Sequence, residues 1–359
     1  MDAVELHNSA WEHHEAGRFP EARAALEQAI ALFERTDGPD SADVANLVTD
    51  LAVMLEDTND YPAAERTARR ALAILQRFEK GEEALAPIRM RAHGVLSITL
   101  RAVGRVPEAR AEIEQAVQVA EGQFGPDHAM TASALTGLGM YFKYSGEFDQ
   151  AEAAYRRAIG ILEGLHGADT PYLANLYHNM GGLLHAREDY AGAEPWARRA
   201  FEVRRAALGE DHQATVSDAV ALAGVLDGLG PSAESEAIYR RALQFWSGLF
   251  GEEHHEVATT LHSLAALRRD LGDPEEAEAL FSRAYRMKVK LLGEQSPDTA
   301  LSAACLAQLL HRKGRHAEAA GLCTRALQAY EANCHPDHPE RTACQGLMDR
   351  IQARLSAGA

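Results

Sequence analysis

A short glycine-led punctuation returns at nearly constant spacing, and it constrains the fold more than any other feature of the chain. It reads Gly38-Pro39-Asp40, Gly81-Glu82-Glu83, Gly125-Pro126-Asp127-His128, Gly167-Ala168-Asp169, Gly209-Glu210-Asp211-His212, Gly251-Glu252-Glu253-His254 and Gly293-Glu294-Gln295, and His335-Pro336-Asp337-His338 closes the series. The first two steps are 43 and 44 residues, and every later step is 42. A fixed period of this size signals an array of identical small units, each stacked on its neighbours. The 359 residues therefore do not translate into two or three separate globular domains. Halfway between these markers comes a turn followed by an acidic, alanine-rich stretch, as in Gly146-Glu147-Phe148-Asp149-Gln150-Ala151 and Gly272-Asp273-Pro274-Glu275-Glu276-Ala277. Gly17-Arg18-Phe19-Pro20 opens the chain in the same way and Gly314-Arg315-His316-Ala317 ends it. Acidic residues in a first helical turn suit the helix dipole. Pro20, Pro107 and Pro274 stand at helix starts, where a missing N–H costs little.

Each unit reads as two helices, A and B, joined by a tight turn. Leu135, Leu138 and Phe142 share one face of a helix A. Gly139 admits a close helix B, Ala151 sits at the crossing, and Tyr155 and Ala158 complete the B face. The same template fits Val48, Leu51, Ala52, Leu55, Ala64, Ala68 and Ala71; Tyr177, Met180, Gly181, Leu184, Ala193 and Ala200; and Leu261, Leu264, Ala265, Ala277, Phe281 and Ala284. Apolar residues make up 46% of the chain and aromatics only 6%, so the core is largely alanine and the class is all-α. The expected units are residues 1–36, 37–80, 81–124, 125–166, 167–208, 209–250, 251–292 and 293–334 of a solenoid over 1–338. Residues 339–359 supply a capping helix and tail, with Leu347, Ile351 and Leu355 on one face.

This small–large–small pattern resembles the tetratricopeptide repeat. The 42-residue period and the G-x-D-H linker resemble its kinesin light chain subtype. The resemblance covers nearly the whole chain. It implies a right-handed superhelical solenoid of about eight helix-turn-helix repeats with a C-terminal cap. It also implies a concave groove, lined by the A helices, that holds a peptide or a partner helix. In the kinesin light chain subtype an asparagine often precedes the Leu-Ala of helix A; the matching positions here are Asn8, Asp50, Val95, Gly137, Asn179, Ala221, Ser263 and Cys305. Two asparagines in eight do not make a ladder.

The groove positions off the A/B contact are Asn175, His178, Asn179, Gly182 and His185; Ser133, Thr136, Gly137, Met140 and Lys143; Thr259, His262, Ser263, Ala266 and Arg269; and Ala304, Cys305, Gln308, His311 and Arg312. Earlier units add His7, Asn8, Trp11, His14, Asn46, Thr49, Asp50, Val53, Glu56, Arg91, Ile98 and Arg101. Asn175, His178, Asn179 and His185 are the leading candidates for ligand contact, with Lys143 and Arg269 flanking; Met140, Thr136, His262, Gln308, Arg312 and Arg101 complete the set. The polar groups would bond a ligand backbone and the cations would take carboxylates. Gly137, Gly182, Ala221 and Gly224 either leave room for ligand side chains or accommodate the curvature of the stack.

A net charge of −17 argues against nucleic acid and anionic membranes as partners. Acids concentrate on B helices and linkers, so the groove, with Arg91, Arg101, Lys143, Arg269 and Arg312 beside Asp50, Glu56, Asp57 and Asp227, is mixed in charge. The N-terminal ten residues lack a leader pattern, which favours the cytoplasm. The expected function is a non-catalytic adaptor for a protein or peptide. A regulatory subunit binding through its outer face or capping helix is the alternative. A metal-dependent enzyme is a third reading, and a peptide-pheromone receptor a further one. The linker histidines His128, His212, His254 and His338 recur with the repeat and read as turn residues. His7/His14 and His178/His185 are seven residues apart, ~10 Å along a helix and too far for one metal. Cys334-His335-x-x-His338-x5-Cys344 could supply ligands but lacks a tight knuckle. Cys323 takes the place of Tyr155 and Phe281, and Cys344 faces the core of the cap. No H-E-x-x-H, G-x-S-x-G, G-x-G-x-x-G or P-loop motif occurs. No metal or cofactor is expected.

Overall fold

The computed structural model describes residues 2–15, 18–58, 60–78, 83–168, 170–333 and 339–357. These form seventeen α-helices and no strand among the described residues: α1 (Ala3–Glu15), α2 (Phe19–Thr36), α3 (Ala42–Asp57), α4 (Tyr61–Leu75), α5 (Ala86–Ala102), α6 (Val106–Phe124), α7 (Ala129–Tyr144), α8 (Phe148–His166), α9 (Ala174–Ala186), α10 (Tyr190–Leu208), α11 (Gln213–Leu229), α12 (Ala233–Phe250), α13 (His255–Asp270), α14 (Pro274–Leu292), α15 (Pro297–Arg312), α16 (His316–Asn333) and α17 (Pro339–Ala357). Single 3-10 turns at Glu83–Leu85 and Pro171–Leu173 lead into α5 and α9. The protein is an all-helical stack of consecutive helix pairs.

The chain forms two compact units, Met1–Leu183 and Leu184–Ala359. In the first, α1 packs on α2, α3 on α4, α5 on α6 and α7 on α8, and α2, α4 and α6 each pack on the first helix of the next pair. In the second, α11 with α12, α13 with α14 and α15 with α16 repeat the arrangement, and α17 lies against α16 and α15. Alanine sets the spacing at the crossings: Ala64, Ala68, Ala151, Ala158, Ala193, Ala277 and Ala284 are all fully buried. Large residues then fill the gaps, with Tyr155, Phe281 and Tyr330 at 0% exposure. Cys323 and Cys344 are buried in the same layer, their sulfurs 3.2 Å apart.

The recurrent linker has a physical cause at each end. Gly251 closes α12 at φ 86°, a left-handed conformation glycine adopts without a Cβ penalty, and donates its N–H to Ser247 O. Three residues later His254 caps α13, its Nδ1 accepting from Glu256 N at 3.2 Å, and Phe250 stacks on its ring at 4.0 Å. His128 and His212 cap α7 and α11 in the same way. The linker histidines are N-caps; His338 lies outside the described residues.

The acidic residues of the second helices are largely engaged one repeat away. Glu65 accepts from Arg105 at 2.8 Å, Glu121 pairs with Arg157 at 2.6 Å, Glu234 with Arg198 at 3.0 Å and Glu276 with Arg240 at 2.9 Å. Each exposed pair is worth at most about 1 kcal/mol. Their regularity says more about register than about stability. Of the three side chains that share one face of α17, Leu347 and Ile351 are buried and Leu355 is 40% exposed, because no further helix packs beyond it among the described residues.

Candidate functional site

Successive first helices touch one another, α3 with α5 and α5 with α7 in the first unit, and α11 with α13 and α13 with α15 in the second. Each unit therefore presents a wall of A helices. The candidate residues Arg101, Thr136, Met140, Lys143, Asn175, His178 and Asn179 lie in the first unit; His185, His262, Arg269, Gln308 and Arg312 lie in the second.

The early part of the first wall satisfies itself. Asp50, only 2% exposed, accepts from Arg91 Nη1 at 2.6 Å and bonds His7 Nε2 at 2.8 Å; Arg91 Nη2 donates to Asn46 Oδ1 at 2.6 Å. His14 meets Asp57 at 3.0 Å. Thr49 is fully buried and donates to Ala45 O, so it does not belong to an accessible groove face, and neither does Asp50.

The later part of the wall is open. Ile98, Met140 and Tyr144 are exposed apolar side chains on α5 and α7, and the Arg101 guanidinium sits 4.6 Å from the centre of the Tyr144 ring. Lys143 is half-buried, and burial alone lowers its pKa from the ordinary lysine value. Its ammonium is 3.0 Å from the place a Cβ on Gly182 would take, so Gly182 makes room for this side chain. No carboxylate among the described residues pairs with Lys143. The register explains this: the residue one repeat earlier, 42 positions back, is Arg101, another cation. Asn179 and His178 on α9 are half-buried and Asn175 is exposed. The Thr136 hydroxyl is already engaged, donating to Ala132 O at 2.8 Å. The space above Gly137 is occupied too, with Ile113 Cδ1 3.3 Å from a Cβ there. Both glycines thus admit the protein's own side chains. Tyr144 is the exposed aromatic that the groove template missed, because it falls at the end of α7, beside the turn.

In the second unit His185 is exposed and stands edge-on to the Tyr190 ring at 5.2 Å. Arg269 is paired at two points with Asp270, at 2.7 and 2.9 Å, so its charge is engaged within its own helix. Gln308 lines a 420 Å³ pocket between α15 and α17, and Arg312 is exposed. His262 packs edge-on to Phe281 at 5.2 Å and its Nδ1 lies 3.1 Å from Ser302 Oγ. Burial first, then the positive charges of Lys288 and Arg269, push its pKa down to about 4.

A histidine whose folded pKa lies below its unfolded value of 6.5 binds fewer protons folded than unfolded in the interval between. Stability is therefore complete above pH 6.5 and falls as the pH drops through that interval. At 1.36 kcal/mol per pH unit, acidification from neutrality to pH 5 removes at most about 2 kcal/mol. His262→Gln should abolish this component; urea midpoints of both proteins at pH 7 and pH 5 would show it, and equal pH dependence would count against it.

No group of three or more His, Cys, Asp or Glu among the described residues is placed to hold a metal. Cys334, His335 and His338 lie outside the described residues, and Cys344 is buried against Cys323. No helix among the described residues is long and apolar enough to cross a membrane.

Tetratricopeptide repeat family profiles match residues 6–77, 89–164, 173–214, 219–288 and 263–333. The chain belongs to the tetratricopeptide repeat family. Among solved structures, a Rap protein complexed with competence and sporulation factor is similar at 15% identity and a TM-score of 0.59, over 88% of this chain and 89% of the other. The apo form of RapI is similar at 12% identity and a TM-score of 0.57, over 81% and 99%. A Podosopora anserina protein described as a kinesin light chain, with nearly identical TPR-like repeats, is similar at 17% identity and a TM-score of 0.50, over 56% and 96%. At these identities the likeness is one of fold. No curated protein matches the sequence.

Proposed function

We propose that the protein is a non-catalytic adaptor that captures a peptide segment of another protein on the open A-helix wall of its first unit. The observation that supports this best is Lys143. It is a half-buried cation with no carboxylate partner among the described residues, set beside exposed Met140 and Tyr144. A desolvated ammonium without a counter-ion is costly unless an anion arrives. In this reading Lys143 takes a ligand carboxylate and Arg101 supports it from one repeat away. Asn179, His178 and Asn175 bond the ligand backbone, while Met140, Ile98 and Tyr144 cover its apolar side chains; Thr136 contributes only its methyl group. A Rap protein of similar fold is complexed with competence and sporulation factor, which is consistent with use of the stack for binding.

The test is selection of peptides from a displayed random library on the intact protein, followed by calorimetry. Removing a charge-assisted hydrogen bond costs about 1.5–3 kcal/mol, so Lys143→Ala with Asn179→Ala should weaken selected peptides about 10- to 100-fold. Unchanged affinity in that variant would overturn the reading.

A further inference from the structure

We propose that Cys323 and Cys344 form a redox-active dithiol, which a hydroperoxide oxidises to a disulfide that fastens the terminal helix α17 to α16. The pair lies wholly in the second unit and shares no residue with the surface around Lys143. Three of the chain's four cysteines gather at this end of the stack as free thiols: Cys305 on α15, Cys323 on α16 and Cys344 on α17. The Cys323 and Cys344 sulfurs are 3.2 Å apart, although the residues are 21 apart in sequence. A covalent S–S bond of about 2.05 Å is therefore a movement of about 1 Å away.

Packing does not account for the pair. Tyr239 and Phe281 hold the place of Cys323 in the two preceding units, and Thr260 and Ser302 hold the place of Cys344. Each earlier junction thus carries a ring and a hydroxyl side chain at these two positions; the last carries two thiols. Cys323 is 0% exposed and Cys344 2%. A core slot that takes tyrosine or phenylalanine gives up apolar burial when cysteine fills it. What cysteine adds in return is reactivity.

The contact divides the two thiols into different roles. The Cys344 S–H, donated to the Cys323 sulfur, favours the Cys323 thiolate. Burial and Asp349 oppose this and Arg350 supports it, and the balance holds Cys323 below the ordinary thiol value. The same contact, with burial, holds Cys344 far above it. Cys305 stays a thiol as well, raised first by burial. The 420 Å³ pocket between α15 and α17 has Cys344 in its wall. Hydrogen peroxide, little larger than a water molecule of about 30 Å³, fits such a pocket.

The Cys323 thiolate attacks one peroxide oxygen and the O–O bond breaks. The departing hydroxide takes a proton from solvent and leaves as water. The Cys344 sulfur then attacks the sulfenic acid on Cys323: the S–S bond forms, the S–O bond breaks, and the Cys344 proton leaves in a second water. Two thiols have passed two electrons to the peroxide. The new bond ties down a helix that otherwise buries Cys344, Leu347, Met348 and Ile351. It removes the open states in which α17 has left α16. Oxidised, the cap is held shut; reduced, it is free to open.

The test uses the full chain, reduced and then treated with hydrogen peroxide in the presence of a metal chelator. Alkylation of the remaining thiols in denaturant, followed by peptide mass spectrometry, should show two of four thiols lost. The lost thiols should appear as a linked Cys323–Cys344 peptide pair that dithiothreitol releases. Hydrogen exchange of the α17 amides should slow at least about tenfold on oxidation and recover on reduction. This comparison is made within wild type and needs no variant to fold. Cys323→Ser and Cys344→Ser should each lose the linked pair and the slowing, and Cys305→Ser should keep both. Oxidised glutathione at the same concentration should form the pair at least about tenfold more slowly, because both sulfurs are buried. Sulfinic acid in place of the pair, linkage of either cysteine to Cys305 or Cys334, or unchanged α17 exchange in the linked protein overturns the proposal. Faster oxidation by oxidised glutathione overturns it too, since a hydroperoxide would then not be the oxidant.

Discussion

Gly139→Ala should destabilise the first unit by about 3 kcal/mol, although the same change in an open helix stabilises. In a helix interior alanine is favoured over glycine by about 0.5–1 kcal/mol, because glycine loses more backbone freedom on folding. At Gly139 the added Cβ would lie 2.5 and 2.6 Å from Cε1 and Cδ1 of Tyr155. Tyr155 is completely buried and cannot swing away. Overpacking of this kind costs about 1–3 kcal/mol and occasionally more, so the steric penalty outweighs the propensity gain. Gly160, in α8, is the control: nothing lies within 4 Å of its Cβ position, and Gly160→Ala should stabilise by about 0.5–1 kcal/mol. Opposite signs for one substitution isolate the A/B contact. Adding Tyr155→Leu to Gly139→Ala should cost less than the two changes made separately. Urea denaturation followed by circular dichroism measures all four. Equal midpoints for wild type and Gly139→Ala would show that the crossing is looser than its geometry.

That contact was legible in the sequence because it recurs. Gly139 faces Tyr155 as Ala265 faces Phe281, in helices one could align by the linker alone. The N-cap histidines were legible as turn residues for the same reason, though not as caps until the Nδ1 contacts were seen. The exposure of Leu355 was not legible, because the helical spacing of Leu347, Ile351 and Leu355 is silent on what packs against that last turn. The wall was harder to read. Helical spacing names every polar residue that faces it, but not those that neutralise one another. His7, Asp50 and Arg91 bond across three helices at separations of 43 and 41 residues, so the clue was the repeat period applied to charge sign. The same rule marks the exceptions. Arg101 and Lys143 are like charges 42 apart, as are Arg312 and Arg354, and none of the four forms an ion pair among the described residues, although Glu56 lies near enough to Arg101 to feel its charge.

Asp298→Ala should cost about 3 kcal/mol in the second unit, whereas Lys288→Met with Asp298→Ala should cost much less. Lys288 of α14 is 1% exposed, and its ammonium lies 2.7 Å from Asp298 Oδ1 at the start of α15. Hydrophobic patterning gives no reason for a lysine at this depth. The position holds Trp246 one repeat earlier and Arg204 two repeats earlier, and in both the side chain fills space between successive pairs. Lys288 fills it with its aliphatic stem and brings a charge with it. A buried pair returns little net stability, since desolvation offsets most of the attraction. Breaking one is different: without Asp298 the ammonium stays buried and uncompensated, which costs about 3–5 kcal/mol. Asp298 is partly exposed, so water relieves some of that and the lower end applies. Methionine matches the stem in shape and needs no counter-ion. The double change therefore removes both the charge and its penalty. Chemical denaturation of wild type, Asp298→Ala and the double variant would order them. A single variant as stable as wild type would mean that Lys288 finds water or another acceptor once Asp298 is gone, and that α14 and α15 are held together by apolar packing alone.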